Sequence, residues 1–224
     1  MDPLAGTAWS DAATVAGFMQ SPPNHRLIEY AKRLRRGRAR LRVLDIGCGA
    51  GRNAVPLAET GTMVIAADLS WPMICAASTR DSAGSLHFAL APMDALPFGD
   101  RAFDLIVAHG IWNLAQSDAE LRRAIREAAR VAAAGARLFV FTFSRRTLPA
   151  DAQPLQGERY VFTQFSGRPQ VFLTCDQLVD ELAAAGFAAD PALPLRELNL
   201  PPPGQRCIGG PPVIVEGGFQ WAGD

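Results

Sequence analysis

Val43-Leu44-Asp45-Ile46-Gly47-Cys48-Gly49-Ala50-Gly51 decides the fold of this 224-residue chain: an apolar run stops at an acid and then opens into three alternating glycines. Val43, Leu44 and Ile46 are continuous rather than alternating, the pattern of a strand buried on both faces of a parallel sheet. The glycines predict a tight turn that a ligand can approach without meeting a Cβ. Residues 52–59 read as a helix whose N-terminal amides face that ligand. Pro56 fits this helix because proline is tolerated in a first turn. The stretch therefore predicts a nucleotide-like ligand at a strand-to-helix turn.

The same strand-helix rhythm continues on the C-terminal side. Residues 62–67 form a second strand, and Asp68 stands at its end, 21 positions after Gly47. In a mononucleotide-binding βαβ unit an acid there reaches the ribose hydroxyls, because a carboxylate accepts two hydrogen bonds from a vicinal diol. A helix over 71–83 and a third strand over 85–90 lead to Asp94, again at a strand end. His87 sits in mid-strand with no acid placed to orient it and reads as structural. The fourth strand, 103–108, runs straight into His109-Gly110-Ile111-Trp112-Asn113, at the carboxyl ends where ligands bind in open α/β sheets. Ser117-Asp118-Ala119-Glu120 is a capping box, and the apolar face Leu121, Ile125, Ala128, Ala129, Ala132 predicts a helix stopped by Gly135. Residues 137–143 form the fifth strand.

Outside that rhythm lie two segments. Residues 1–37 predict a helical cap, with one short helix over 11–20 and a second capped by Asn24 whose apolar positions Leu27, Ile28, Ala31 and Leu34 follow helical spacing. Residues 144–174 predict an inserted hairpin or lid around Ser166-Gly167-Arg168-Pro169. A helix over 176–185 follows, then two late extended pieces, 187–199 and 207–220, with Pro201-Pro202-Pro203-Gly204 as a rigid turn between them.

Composition bounds the function. With 22 basic and 22 acidic residues the net charge is zero, giving no global electrostatic argument for nucleic acid or an acidic membrane surface. The arginine-rich run through Arg42 reads as a solvated helix face. Cys48, Cys75, Cys175 and Cys207 are scattered without a CxxC pair, so neither a disulfide framework nor a metal site is expected, and a cytoplasmic setting is. No apolar run approaches the ~20 residues of a membrane span.

Asp45-x-Gly47-x-Gly49-x-Gly51, Asp68-Leu69-Ser70-x-x-Met73, Asp94-Ala95-Leu96-Pro97-Phe98 and Phe103-Asp104-Leu105-Ile106-Val107, in this order on successive strand ends, resemble the class I S-adenosylmethionine-dependent methyltransferases of the small-molecule branch. The resemblance covers roughly residues 40–190. It implies a doubly wound, Rossmann-like α/β fold: a seven-stranded sheet, mostly parallel with the last strand antiparallel, and helices on both faces. It also implies a cofactor, S-adenosyl-L-methionine, held by Asp45, Gly47, Cys48, Gly49, Gly51, Arg52, Asp68, Leu69, Met73, Asp94, Ala95 and His109. His109 is the candidate base, since an unperturbed imidazole titrates near pH ~6.5. A dinucleotide fits worse, because Arg52 stands where GxGxxG has its last glycine and Asp45 would repel a pyrophosphate.

Residues 1–224 are thus expected to form one methyltransferase domain, monomeric or homodimeric, acting on a small, partly apolar metabolite by in-line displacement. Trp9, Phe18, Trp112 and Tyr160 are the expected acceptor pocket. The alternative is a non-catalytic or regulatory protein that keeps the cofactor fold.

Overall fold

A computed structural model describes residues 3–201 and 210–223. Two helices come first, α1 (Ala12–Gln20) and α2 (His25–Arg35). The alternating core follows as β1 (Arg42–Ile46), α3 (Ala54–Glu59), β2 (Met63–Asp68), α4 (Trp71–Arg80), β3 (Leu86–Leu90), β4 (Phe103–His109), α5 (Asp118–Val131) and β5 (Ala132–Phe143). A short ribbon, β6 (Val161–Phe162) with β7 (Gln170–Val171), precedes α6 (Cys175–Ala184), β8 (Phe187–Ala189), β9 (Arg196–Leu198) and β10 (Ile214–Trp221).

The strand order is β3-β2-β1-β4-β5-β10-β8, with β9 also paired to β10. β1 lies between β2 and β4 in parallel register, so the decisive stretch is the centre of the sheet. Its continuous apolar pattern has a plain cause: alternate residues point to opposite faces, and both faces are covered. Val43, Val107 and Phe139 pack with Leu27, Tyr30 and Ala31 of α2 and Leu57 of α3. Leu44, Ile46, Ile106, Ala108, Leu138 and Val140 face the other layer, where Leu121 and Ile125 of α5 and Leu178 and Leu182 of α6 are buried. Each such fully buried aliphatic side chain stabilises the fold by roughly 1.5–3 kcal/mol.

The sheet has eight strands rather than the expected seven. β10 is antiparallel to β5, as expected of the last strand, but the edge position beyond it is shared: β8 pairs with Phe219–Trp221 and β9 with Ile214–Glu216. Between them the edge chain leaves the ladder, because Pro191 and Pro194 have no N–H to donate. A Cβ on Gly217 or Gly218 would stand 2.9 Å or 2.8 Å from Leu195 or Leu193, so the glycine pair is what lets that crossing pack.

Boundaries shift elsewhere too, and the helix expected over 71–83 ends at Arg80. The helix expected from residue 52 begins at Ala54, since the glycine turn extends through Asn53. α5 ends at Val131, and β5 runs on from Ala132 through Gly135, where the sequence predicts a helix end. The hairpin around Ser166 forms as β6 and β7. Pro202, Pro203, Gly204 and Cys207 lie outside the described residues. Among the described residues no helix is long and apolar enough to cross a membrane.

Candidate cofactor site

Three backbone features build the site at the carboxyl ends of β1, β2 and β4. The Gly47 and Cys48 amides both donate to the Ala67 carbonyl, at 2.8 and 3.0 Å, which folds the turn back over β2. Gly47 has φ +68°, and a Cβ there would lie 2.6 Å from the Ile111 side chain, so only glycine keeps this cradle open. The Gly49 amide donates to Asp68 Oδ2 and the Ser70 amide to Oδ1, each at 2.8 Å, so the turn fixes the acid's orientation. Strand-end position was legible in the sequence; this clamp on the carboxylate was not.

Asp45 is 1% exposed, and its Oδ2 has no hydrogen-bond partner among the described residues. Burial pushes its carboxyl up to about 7; Arg52 opposes that shift and Asp68 adds to it. A buried, unpartnered carboxylate oxygen is costly unless a ligand donor meets it.

Around these groups lies a cavity of about 220 Å³. Gly47 and Gly49 form its floor; Asp68, Leu69 and Met73 one wall; Ala91, Pro92, Met93 and Asp94 the end; and His109, Gly110, Ile111 and Leu114 the opposite wall, with Gln116 and Glu120 at the margin. Leu4, Trp9 and Phe18 roof it. The roof is anchored: Ser70 Oγ donates to the Trp9 carbonyl at 2.8 Å, Trp9 and Phe18 meet edge to face at 5.8 Å, and both pack with Ala50, Met73 and Ala76. Asp94 takes an Arg123 Nε–H bond on Oδ2 at 3.0 Å.

His109 is the last residue of β4 and is 9% exposed. Its ring stacks on Phe141 at 4.0 Å. Arg52 approaches its Nδ1 and Nε2 at 3.0 and 3.1 Å, and Asn24 Nδ2 lies 3.2 Å from Nε2. Burial and the Arg52 charge push the imidazole down to about 3, so the ring is neutral at pH 7. Behind it, Glu216 of β10 is 1% exposed and accepts from Asn24, Arg26 and Arg196.

Of the expected cofactor residues, Gly47, Gly49, Asp68, Leu69, Met73, Asp94 and His109 meet at this cavity, with Asp45 and Arg52 beside it. Cys48 is buried with its thiol donating to the Gly49 carbonyl, and burial raises its pKa. Ala95 is exposed and outside the lining. Of the residues expected in an acceptor pocket, Trp9 and Phe18 line this cavity. Trp112 and Tyr160 do not: both side chains are buried in the main core, where Trp112 packs behind β4 and Tyr160 precedes the β6 ribbon. Asp118 accepts from the Arg159 and Tyr160 amides, which ties that ribbon to α5 rather than to the cavity. Leu4, Met93, Ile111 and Leu114 were not singled out in the sequence, since apolar loop residues carry no distinguishing pattern. Glu216 had one: an acid following the apolar run Val213-Ile214-Val215.

Comparison with known proteins agrees with this geometry. The methyltransferase domain family matches residues 43–135. A demethylmenaquinone methyltransferase of Corynebacterium urealyticum is 36% identical over 112 residues, which is 50% of this chain and 45% of that protein. The chain spans less than half the length of the curated relatives it matches. Among solved structures, a SAM-dependent methyltransferase of Methanosarcina mazei superposes with a TM-score of 0.64 at 23% identity, covering 84% of this chain and 95% of that one. The [4+2]-cyclase SpnF superposes with a TM-score of 0.60 at 25% identity, covering 77% and 60%. Over residues 43–135 the chain is thus similar to the methyltransferase domain family, and its sheet has the fold of a solved S-adenosylmethionine-dependent methyltransferase.

Proposed function

We propose that the chain transfers a methyl group from S-adenosyl-L-methionine to a small, partly apolar metabolite by in-line displacement. The observation that carries this reading is the Asp45 carboxylate: buried, without a partner on Oδ2 among the described residues, and at the foot of the glycine turn. An ammonium group beside it would supply the missing donor and draw the carboxyl back to its ionised form. The turn from Gly47 to Gly51 holds the methionine end, with Arg52 near the carboxylate. Asp68, already aimed by two amides, takes the ribose hydroxyls. Leu69 and Met73 flank the adenine, and Asp94 Oδ1 accepts at its amino edge.

Bound there, the cofactor supplies a methyl group already activated on a sulfonium. The chain aligns and dries the site, and alignment alone is worth ~7–11 kcal/mol. Leu4, Trp9 and Phe18 exclude water from above, and the apolar wall of Ile111 and Leu114 suits an acceptor with apolar surface. In this reading the protein acts in the cytoplasm as a monomer or homodimer, without nucleic acid. The free thiols of Cys48, Cys75 and Cys175 fit a reducing compartment.

Calorimetry with S-adenosylmethionine and S-adenosylhomocysteine on wild type and Asp68→Ala tests the assignment. The variant loses roughly 10- to 100-fold in affinity, the worth of hydrogen bonds to a charged group. Wild type without heat or thermal stabilisation would sink the cofactor reading. The likeness to a cyclase favours one competing reading, a chain of this fold that does other chemistry. Release of S-adenosylhomocysteine with a panel of small acceptors separates the two, and silence across the panel favours the second.

A further inference from the structure

We propose that Asn24 is a positioning residue: it locks His109 as the neutral Nδ1–H tautomer, so that His109 is a fixed wall of the pocket and not its proton acceptor. Every polar atom of the Asn24 side chain is committed, and so is its main-chain N–H, which donates to Asn53 Oδ1 at 2.9 Å beside the glycine turn. Its Oδ1 caps α2, accepting from the Arg26 and Leu27 amides at 3.0 and 3.1 Å. Those two amides fix which end of the carboxamide is oxygen. The other end, Nδ2, is therefore the donor, and it faces Glu216 Oε2 at 2.6 Å and His109 Nε2 at 3.2 Å.

Nε2 facing an N–H must carry a lone pair. Arg52 Nη2 lies 3.0 Å from Nδ1 and 3.1 Å from Nε2, a position over the ring rather than along either lone pair, so it does not choose between the two nitrogens; Asn24 does. The ring proton is thereby left to Nδ1. The groups facing the ring from each side agree. Arg52, from the glycine turn, opposes a second proton. Glu216, from β10, is the acid on this side, but it is taken by Arg26 and Arg196 as well as by Asn24. Asp45 acts on Arg52 through its charge and is not among the groups shifting the ring. Phe141 covers the ring face.

The consequence is chemical. A ring whose Nε2 lone pair is taken by Asn24 and whose second proton Arg52 opposes accepts no proton from an acceptor at neutral pH, so the acceptor atom attacks without proton transfer to His109. Asn24 also joins the N-terminal cap, the glycine turn, β4 and β10 in one node, so the ring's state depends on how the cap seats.

The test is long-range ¹H–¹⁵N NMR of the histidine side chains of the ligand-free protein. Only three histidines are present, and His109→Gln assigns the signal. The expected result in wild type is a pyridine-type Nε2, a pyrrole-type Nδ1 and no titration between pH 5 and 8. Asn24→Ser keeps an oxygen to cap α2 but has no amide to reach His109. In that variant the tautomer signature becomes mixed and the ring's titration rises by about one pH unit, the equivalent of one lost hydrogen bond to the neutral form. A protonated Nε2 or an imidazolium in wild type overturns the proposal, as does an unchanged signature in Asn24→Ser. The consequence for methyl transfer rests on the cofactor reading. The NMR measurement needs no ligand, so its failure is distinct from a failure of the calorimetry above.

Discussion

Replacing Asp45 by Asn should make the ligand-free protein more stable at pH 8 than at pH 5, relative to wild type, while abolishing cofactor binding. The carboxyl sits at about 7 in the folded chain against 3.8 as an ordinary aspartate. At ~1.4 kcal/mol per pH unit, keeping it ionised in the fold costs about 4 kcal/mol above pH 7. The sign follows from proton counting. Between pH 3.8 and 7 the folded state holds a proton that the unfolded state has lost, so wild-type stability falls as pH rises through that window and levels off above it. The neutral amide of the Asp45→Asn variant has no such slope. By pH 5 wild type has lost about 1.6 kcal/mol to this group and by pH 8 about 4, so the stability gap between the two proteins should widen by about 3 kcal/mol. Urea unfolding followed by circular dichroism at the two pH values reads this gap, and taking the difference removes any constant packing cost of the substitution. A gap that stays level from pH 5 to pH 8 would refute the claim that Asp45 is held at a cost for a ligand. The same linkage makes wild-type binding of S-adenosylhomocysteine tighten with pH up to about 7, because an ammonium ligand must first displace the Asp45 proton.

Two further perturbations probe the scaffold. Gly47→Ala adds a Cβ 2.6 Å from Ile111 at a positive φ, so it should lower stability by about 1–3 kcal/mol and weaken cofactor binding, read by thermal melts with and without S-adenosylhomocysteine. Glu216→Ala strands Arg26 and Arg196 beside a buried strand and should cost about 3–5 kcal/mol in urea unfolding with an unchanged m-value; a cost below ~1 kcal/mol would mean the pair is solvated.

Much of this molecule is local and therefore legible. Val43-Leu44 and Ile46 announced a strand covered on both sides, because a strand inside a parallel sheet meets a helical layer on each face. Asp68 announced its place beside the glycine turn through its distance from Gly47. Asn24 announced a helix start, and its oxygen does cap α2. Legibility ended where contacts are non-local. Trp112 and Tyr160 have the chemistry of a pocket wall, but packing against α5 and the β6 ribbon places both in the core. The eighth strand escaped because three residues, Arg196 to Leu198, pair only by virtue of an edge that β8 leaves open.

By itself the sequence determined the layered α/β architecture, the ligand turn and its acids, since spacing along a strand and the conformational freedom of glycine are properties of the chain alone. Only the tertiary structure decided the state of the groups: that Asp45 is desolvated with its Oδ2 lacking a partner among the described residues, that His109 is neutral, and that Asn24 and Glu216, 192 positions apart, share one hydrogen bond behind it. Protonation and partnership depend on burial and on what stands within a few ångströms, and those are set when distant segments of the chain meet.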